Sequence, residues 1–248
     1  MIRSIILYFL FLPALMFAQN LIPNPGFEMK TGCPDRPGQI NLANFWVSPN
    51  TATPDYFNDC SNGLDYGTEF NKKGGQVAHN GHGYAGLQFY YLNKNEFFEY
   101  IETRLDTLLV SGQLYCIKAF VSLGNSDYAF RELGALLSVT EVKSADAHKL
   151  KLPYTKLDNG QYLVDQDHWM CISGLYKAKG DERLLTIGDF SAGDEFWNIH
   201  TRCVTDSLLK STFYFVDDVS MEAIKDSSEC GVPAKNALTT LTVVHKAL

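Results

Sequence analysis

Carboxylates set among apolar residues are the most chemically loaded feature of this chain, and they stand near its two ends. Near the start, Asn24-Pro25-Gly26-Phe27-Glu28 carries Glu28; near the end, the run Phe213 to Ser220 carries Asp217 and Asp218. A carboxylate drawn into a core must find a cation or hydrogen-bond donors, so these three residues are a candidate donor set for a divalent metal. Calcium takes about six to eight oxygen ligands in tolerant geometry, and Glu28, Asp217 and Asp218 would share that shell with backbone carbonyls. The competing reading has Glu28 and Asp217 bonded to backbone amides or to an arginine. There is no contiguous acidic loop of the EF-hand kind.

Other residue types offer less. His79 and His82 stand three apart in a Gly/Asn loop without a nearby cysteine or helical spacing, and read as solvated turn histidines rather than transition-metal ligands. A flat aromatic ring can cover the apolar face of a pyranose while Asn or Asp groups bind its hydroxyls. In the run from Phe89 to Tyr100, strand alternation makes Phe89 and Tyr91 core and turns Tyr90 the other way. Tyr90 and the loop residues Tyr56, Tyr128 and Trp197 are therefore the candidate ligand contacts. Asp165 with Asp167, and Asp194 with Glu195, are acidic pairs in turns, which are ordinarily solvated; a glycosidase needs two carboxylates at a set separation. With no Gly-x-Ser-x-Gly elbow, no His-Glu-x-x-His and no phosphate-cradling glycine loop, the chain reads as a non-enzyme.

Residues 1–18 pair one basic residue, Arg3, with an apolar stretch ending at Ala18, the layout of a secretory signal peptide too short to span a membrane. The mature chain carries no second apolar span and thus no transmembrane segment. A net charge of −7 without a basic block argues against nucleic acid as a partner. Six cysteines, Cys33, Cys60, Cys116, Cys171, Cys203 and Cys230, follow the secretion signal without Cys-x-x-Cys spacing, which favours disulfides over zinc. Cys33 with Cys60 is the preferred pair, because both lie in a Gly/Pro/Asn-rich stretch that has little core of its own. Cys116 and Cys171 lie in apolar strands and either pair across a sheet or stay buried thiols; Cys203 with Cys230 would fasten a late loop to the tail.

The elements that must position these groups are strands. Tyr84 to Tyr91, Glu99 to Asp106, Gln113 to Leu123, Leu133 to Val139, Trp169 to Ala178, Arg183 to Phe190 and Thr212 to Met221 are β-rich and separated by turn residues, the pattern of an all-β antiparallel sandwich. Thr31 to Gly75 reads as a long ordered loop region holding scattered aromatics. Val142 to Leu150 reads as a short helix or an irregular loop. In the third strand Tyr115, Ile117, Ala119, Val121 and Leu123 share the core face. In the last, parity groups Phe213, Phe215, Asp217, Val219 and Met221, which turns Asp217 inward and Asp218 outward. The division is a signal peptide at 1–18, one sandwich domain at 19–225 and a tail at 226–248.

Several motifs carry a resemblance: Asn20 to Glu28, Thr31-Gly32-Cys33, Pro54 to Phe57 with Cys60, Gly83 to Leu87, Leu152-Pro153-Tyr154, Ile172 to Tyr176, Leu185 to Phe190 and Tyr214 to Ser220. Together they resemble a secreted domain of Gram-negative, Bacteroidota-type envelope proteins that often precedes an OmpA-like peptidoglycan-binding domain. More distantly, the first and last motifs are similar to those of carbohydrate-binding modules of families 4, 9 and 22. The resemblance implies a galactose-binding-like jelly roll, a structural calcium between the first and last strands, and no enzyme activity. The expected function is a secreted, non-catalytic module binding a cell-surface or environmental glycan. The alternative is a structural or assembly component of the envelope that contacts other proteins; a secreted glycan hydrolase ranks third. The expected location follows export across the inner membrane: periplasm, outer-membrane surface or extracellular space.

Overall fold

The computed structural model describes residues 19–61, 65–92, 95–126, 128–191 and 210–231; for 90–92, 95–96 and 210 the description covers the backbone alone. Residues 1–18, read above as a signal peptide, together with Trp197, Cys203, Asp194, Glu195, the Tyr90 side chain and residues 232–248, lie outside it. Among the described residues, no helix is long and apolar enough to cross a membrane.

Among the described residues, eleven strands run in chain order as β1 (Trp46–Val47), β2 (Asp55–Asn58), β3 (Gly83–Leu92), β4 (Asn95–Phe98), β5 (Ile101–Arg104), β6 (Leu114–Leu123), β7 (Leu133–Ser138), β8 (Thr155–Leu157), β9 (Met170–Lys177), β10 (Leu184–Gly188) and β11 (Lys210–Ile224). They form two antiparallel sheets, one of order β1-β5-β10-β7-β8 and one of order β2-β3-β11-β6-β9 with β4 added to β3. The result is an antiparallel β-sandwich of the jelly-roll kind. All seven strands expected from the sequence are present. Four others, β1, β2, β4 and β8, are short, and β1 and β2 fall in the stretch read as loop. Between Val142 and Leu150 the chain is irregular, without a helix.

One face of each sheet meets in the core. Ile117, Ala119 and Val121 of β6, Ala85, Leu87 and Phe89 of β3, and Tyr214 and Val216 of β11 pack against Ile101, Ala135, Leu185 and Ile187 of the other sheet. The alternation read in β6 therefore holds. In β11 it breaks, because a bulge between Asp217 and Ser220 shifts the register against β6. Asp218 adopts φ 45°, a left-handed conformation that Asp tolerates. The extra residue swaps faces: Val219 and Met221 enter the core, whereas Phe213 and Phe215 join Phe57, Tyr66 and Tyr84 in a separate aromatic cluster on the outer face. Asp217 follows Phe213 and Phe215, so it is fully buried, but under the loop that carries His79 and Asn80 rather than between the sheets.

Among the described residues, two disulfides lock this frame. Cys33–Cys60 (Cα–Cα 5.6 Å) forms as expected, whereas Cys116 pairs with Cys230 (Cα–Cα 5.2 Å), not with Cys171. Cys116 points to the outer face of β6, where the chain leaving β11 folds back as a 3-10 turn, Ser227–Cys230, capped by the Asp226 side chain. Cys171 is an exposed free thiol, raised by partial burial. The covalent frame thus reaches beyond Lys225 into the segment read as tail.

Candidate functional site

The N-terminal segment seams the two sheets without forming a strand. Leu21 donates its N–H to Met221 of β11, and its carbonyl accepts from Asp106 after β5; Val219 donates to Pro25 O at 2.9 Å. Asn24 then brackets a tight loop. Its side chain accepts from Met29 N (3.0 Å) and donates to Met29 O (2.9 Å) and Asn44 O (3.0 Å), while Trp46 Nε1 donates to Asn24 O at 2.8 Å. Phe27, at φ 59°, stacks on Trp46 with centroids 4.9 Å apart. This fixes the direction in which Glu28 leaves the backbone.

Glu28 and the two aspartates meet around one loop. Glu28 Oε1 accepts from His82 N (2.7 Å) and Gly83 N (2.9 Å). Asp217 Oδ2 accepts from His79 N (2.9 Å) and Asn80 N (3.4 Å), and its Oδ1 from Asp218 N (2.7 Å). Asp218 Oδ2 lies 2.6 Å from His79 Nδ1. All three acids crowd Gly26: a Cβ there would sit 3.1 Å from Asp218 Oδ1, 3.7 Å from Asp217 Oδ1 and 3.8 Å from Glu28 Cγ. Gly81, at φ +70°, is held just as closely, because a Cβ would come within 2.5 Å of the Glu28 carboxyl carbon. Burial, and then the charge of Asp218, push Asp217 up to about 8 despite three backbone N–H donors.

The donors suit a hard cation, being carboxylate oxygens only, with a buried acid whose ionised form a cation would favour. Their present arrangement is the amide-bonded one: among the described residues no three His, Cys, Asp or Glu side chains are set as a metal cage. The histidines are more engaged than turn residues would be. His79 stacks on Phe120 with centroids 3.7 Å apart, and His82 Nδ1 faces Asp59 Oδ2 at 2.6 Å.

The cover over Phe57, Tyr66, Tyr84, Phe213 and Phe215 is pinned by Tyr84, whose hydroxyl donates to Thr68 O (2.9 Å), and by Trp169 Nε1, which donates to Val77 O (2.8 Å). Its outer side opens into a cleft of about 410 Å³ next to Gly81. Phe70 and Val77 stand at this cleft 70% and 64% exposed, beside Asp59, Ser61, Thr68 and Glu69, and among the described residues no Lys or Arg lines it.

The expected ligand contacts fare differently. Tyr56 is fully buried in β2, its hydroxyl donating to Phe27 O (2.9 Å), so it is a core residue that supports the Glu28 loop and not a ligand contact. Tyr128 is partly buried, away from the residues that line the cleft. Tyr90 pairs through its backbone with Phe97 and Ser211. Phe70 was missed, although an apolar ring in the polar turn Glu69-Phe70-Asn71-Lys72-Lys73 is a signal in itself. Asp165 is a turn residue, its Oδ1 accepting from Asp167 N and His168 N.

No protein-family model and no curated protein matches this chain. Among solved structures it is similar to the CBM22-1 xylan-binding domain of Paenibacillus barcinonensis Xyn10C, at 13% identity over 85% of this chain and 97% of that one, TM-score 0.45. It is also similar to the K3 cleaved adhesin domain of Lys-gingipain from Porphyromonas gingivalis, at 15% identity over 81% and 96%, TM-score 0.37. A third is TmCBM61 in complex with β-1,4-galactotriose, at 11% identity over 84% and 100%, TM-score 0.37. Overlaps of this depth leave the architecture resting on its own strand pairing.

Proposed function

We propose that this chain is a secreted, non-catalytic glycan-binding module whose ligand lies in the cleft beside Phe70. The supporting observation is a solvent-facing phenyl ring set among carboxylate and hydroxyl groups in a concavity of about 410 Å³, the size of an ordinary small-ligand pocket. Phe70 supplies the apolar face for a sugar ring, and Asp59, Ser61, Thr68 and Glu69 take its hydroxyls. A cleft without Lys or Arg favours neutral saccharides over acidic ones. The two disulfides fit an oxidising compartment, in keeping with export. The competing reading, an envelope component contacting other proteins, draws on Phe45, Val47 and Met29, exposed by 55%, 48% and 43% around the edge strand β1.

Binding of neutral oligosaccharides, screened on an array and measured by calorimetry, tests the proposal. Covering a phenyl ring is worth about 1.5–3 kcal/mol, so Phe70→Ala should weaken binding tenfold or more. Its melting temperature should stay put, since the ring contributes little to the core. Absence of binding to any glycan, or unchanged affinity in the variant, would move the choice to protein contact.

Calcium is a further part of the proposal. Glu28, Asp217 and Asp218 are the residues that would hold it, its charge offsetting three neighbouring carboxylates and tying the N-terminal seam to β11. An ion bound only by the folded chain raises stability by mass action, by about 2.7 kcal/mol at a hundredfold excess over Kd. Millimolar calcium should therefore raise the melting temperature by several degrees relative to chelator, and Asp217→Asn should remove the increment. Identical melting in calcium and chelator would discard the ion.

A further inference from the structure

The outer face of the five-stranded sheet carries a second cleft, on the side of the molecule away from the loop 79–83. On its floor Arg104 of β5 and Leu184 of β10 stand side by side, and Ser138 of β7 is paired with Leu184 on the other side. The chain leaving β7 rises over that floor, and the space between, about 360 Å³, is lined by Arg104, Arg183, Lys143, Glu141 and Thr140 above Leu184. Arg183 is fixed through its backbone: its N–H donates to Ser138 O (2.9 Å), and its carbonyl accepts from Leu105 N (2.8 Å).

The polar atoms here are unusually poorly matched. Among the described residues three buried side-chain N or O atoms lack a hydrogen-bond partner, and two of them, Arg183 Nε and Ser138 Oγ, belong to this corner. The third, Thr103 Oγ1, lies opposite Trp46 and Leu185 and faces the core. A buried donor left unpaired is costly, and a guanidinium presents its N–H groups in a fork that fits the oxygens of carboxylate, sulfate or phosphate. Glu141 feels the charge of Arg104, but the hydrogen bonds of the nearby acids go elsewhere. Glu141 pairs with Lys143 at 2.9 Å, an exposed pair that exchanges readily, while Glu102 accepts from Thr186 Oγ1 (2.8 Å) and Val142 N (3.2 Å). Three basic groups thus face two acids, one of them turned to its own hydrogen bonds, within a chain of net charge −7.

We propose that this cleft binds an oxyanion, a sulfate, phosphate or carboxylate group either free or carried on a saccharide, between the Arg104 and Arg183 guanidinium groups, with Ser138 Oγ and Lys143 as further donors. The site is separate from the Phe70 cleft, and it favours acidic groups where that cleft favours neutral ones.

The test is calorimetry on the full chain at low ionic strength with sodium sulfate, sodium phosphate, glucuronate and a sulfated disaccharide, against sodium chloride. Binding of at least one oxyanion in preference to chloride is expected; response to the free ions identifies a free anion as the ligand, and response to the saccharides alone identifies a borne one. Arg183→Lys keeps the charge and removes Nε and the fork, and should weaken binding about tenfold. Arg104→Gln, at an exposed position that the core does not need, should weaken it similarly, whereas Glu141→Gln should tighten it several-fold by removing the competing carboxylate. Phe70→Ala should change nothing at this site. Heats indistinguishable from chloride with all four probes, or oxyanion binding unaltered in both arginine variants, would overturn the proposal.

Discussion

Replacing Cys116 and Cys230 together by alanine lowers the stability of the folded chain by about 2–5 kcal/mol, the usual effect of losing a native disulfide that closes a long loop. The bond joins residues 114 apart in sequence, near the top of the range in which chain entropy favours a cross-link. Cys33–Cys60 closes 27 residues, and the same model gives it about 3.5 kcal/mol. Position amplifies the difference. Cys116 sits in β6, the strand between β11 and β9, and Cys230 carries Ile224 and the returning turn onto the outside of that strand, against Leu114 and Leu175. Without the bond, the turn has only this small cluster and the Asp226 cap to hold it. In a domain of this size the loss corresponds to roughly 5–20 °C in melting temperature. Thermal melts of the double alanine variant, and of native protein with and without reductant, measure it. A shift under about 1 °C would mean that the bond is absent or restrains nothing. Alkylation of Cys230 without prior reduction would show which.

How much of this could be read beforehand depended on whether a residue's environment is set by its neighbours in sequence. In β6 ten residues alternate without interruption, so period two alone placed Ile117, Ala119 and Val121 in the core. In β11 the same reasoning failed at one inserted residue. The bulge at Asp218 leaves no mark except an aspartate able to take a left-handed backbone, and everything before it, Phe213, Phe215 and Asp217, lies on the opposite face from Val219 and Met221. Tyr56 misled for another reason. A tyrosine in a polar, Pro- and Asn-rich stretch reads as exposed, yet the Phe27 carbonyl satisfies its hydroxyl, and that partner, 29 residues away, allows complete burial. The convergence of Glu28 with Asp217 was legible because both ends of the chain carried acid-bearing motifs. The loop 79–83 whose N–H groups bond those acids was not, since backbone donors have no sequence signature. Cys116 meets Cys230 because β11 runs beside β6 and the turn after it folds back onto that strand, a contact between distant segments that neither cysteine's neighbours announce.

A second buried acid, behind β3, adds to the dependence of stability on pH that the raised Asp217 already brings. Glu99 is 3% exposed, and its Oε2 accepts from Gln88 N at 2.6 Å. Asp55, also buried, faces it from β2 and accepts from Gly38 N at 2.8 Å. The balancing charge is Lys73, whose ammonium group reaches Gln88 Oε1 at 2.7 Å and lies 4.8 Å from the Phe213 ring centre. Burial, and then the charge of Asp55, hold Glu99 well above the ordinary carboxylate range, and burial raises Asp55 as well. The sign follows from proton counting. Above about pH 4.5 the unfolded chain gives up the Glu99 proton while the folded chain keeps it, so the folded state binds more protons and stability falls as pH rises. The fall continues until the folded group itself ionises. Glu99→Gln keeps an acceptor for the Gln88 N–H and removes the charge, so it should flatten this slope. It should also be the more stable protein at pH 8, because it has no proton that the folded chain must hold against the solvent. Asp217 and Glu102, also raised, act in the same sense in both proteins, whereas the acids held low, Glu141, Asp146, Asp165, Glu182 and Asp226, act in the opposite sense and below this window. Urea unfolding of both proteins between pH 4.5 and 8 separates the two effects. Parallel stability curves across that interval would mean that Glu99 ionises in the folded chain as easily as in the unfolded one, and that Lys73 compensates it fully.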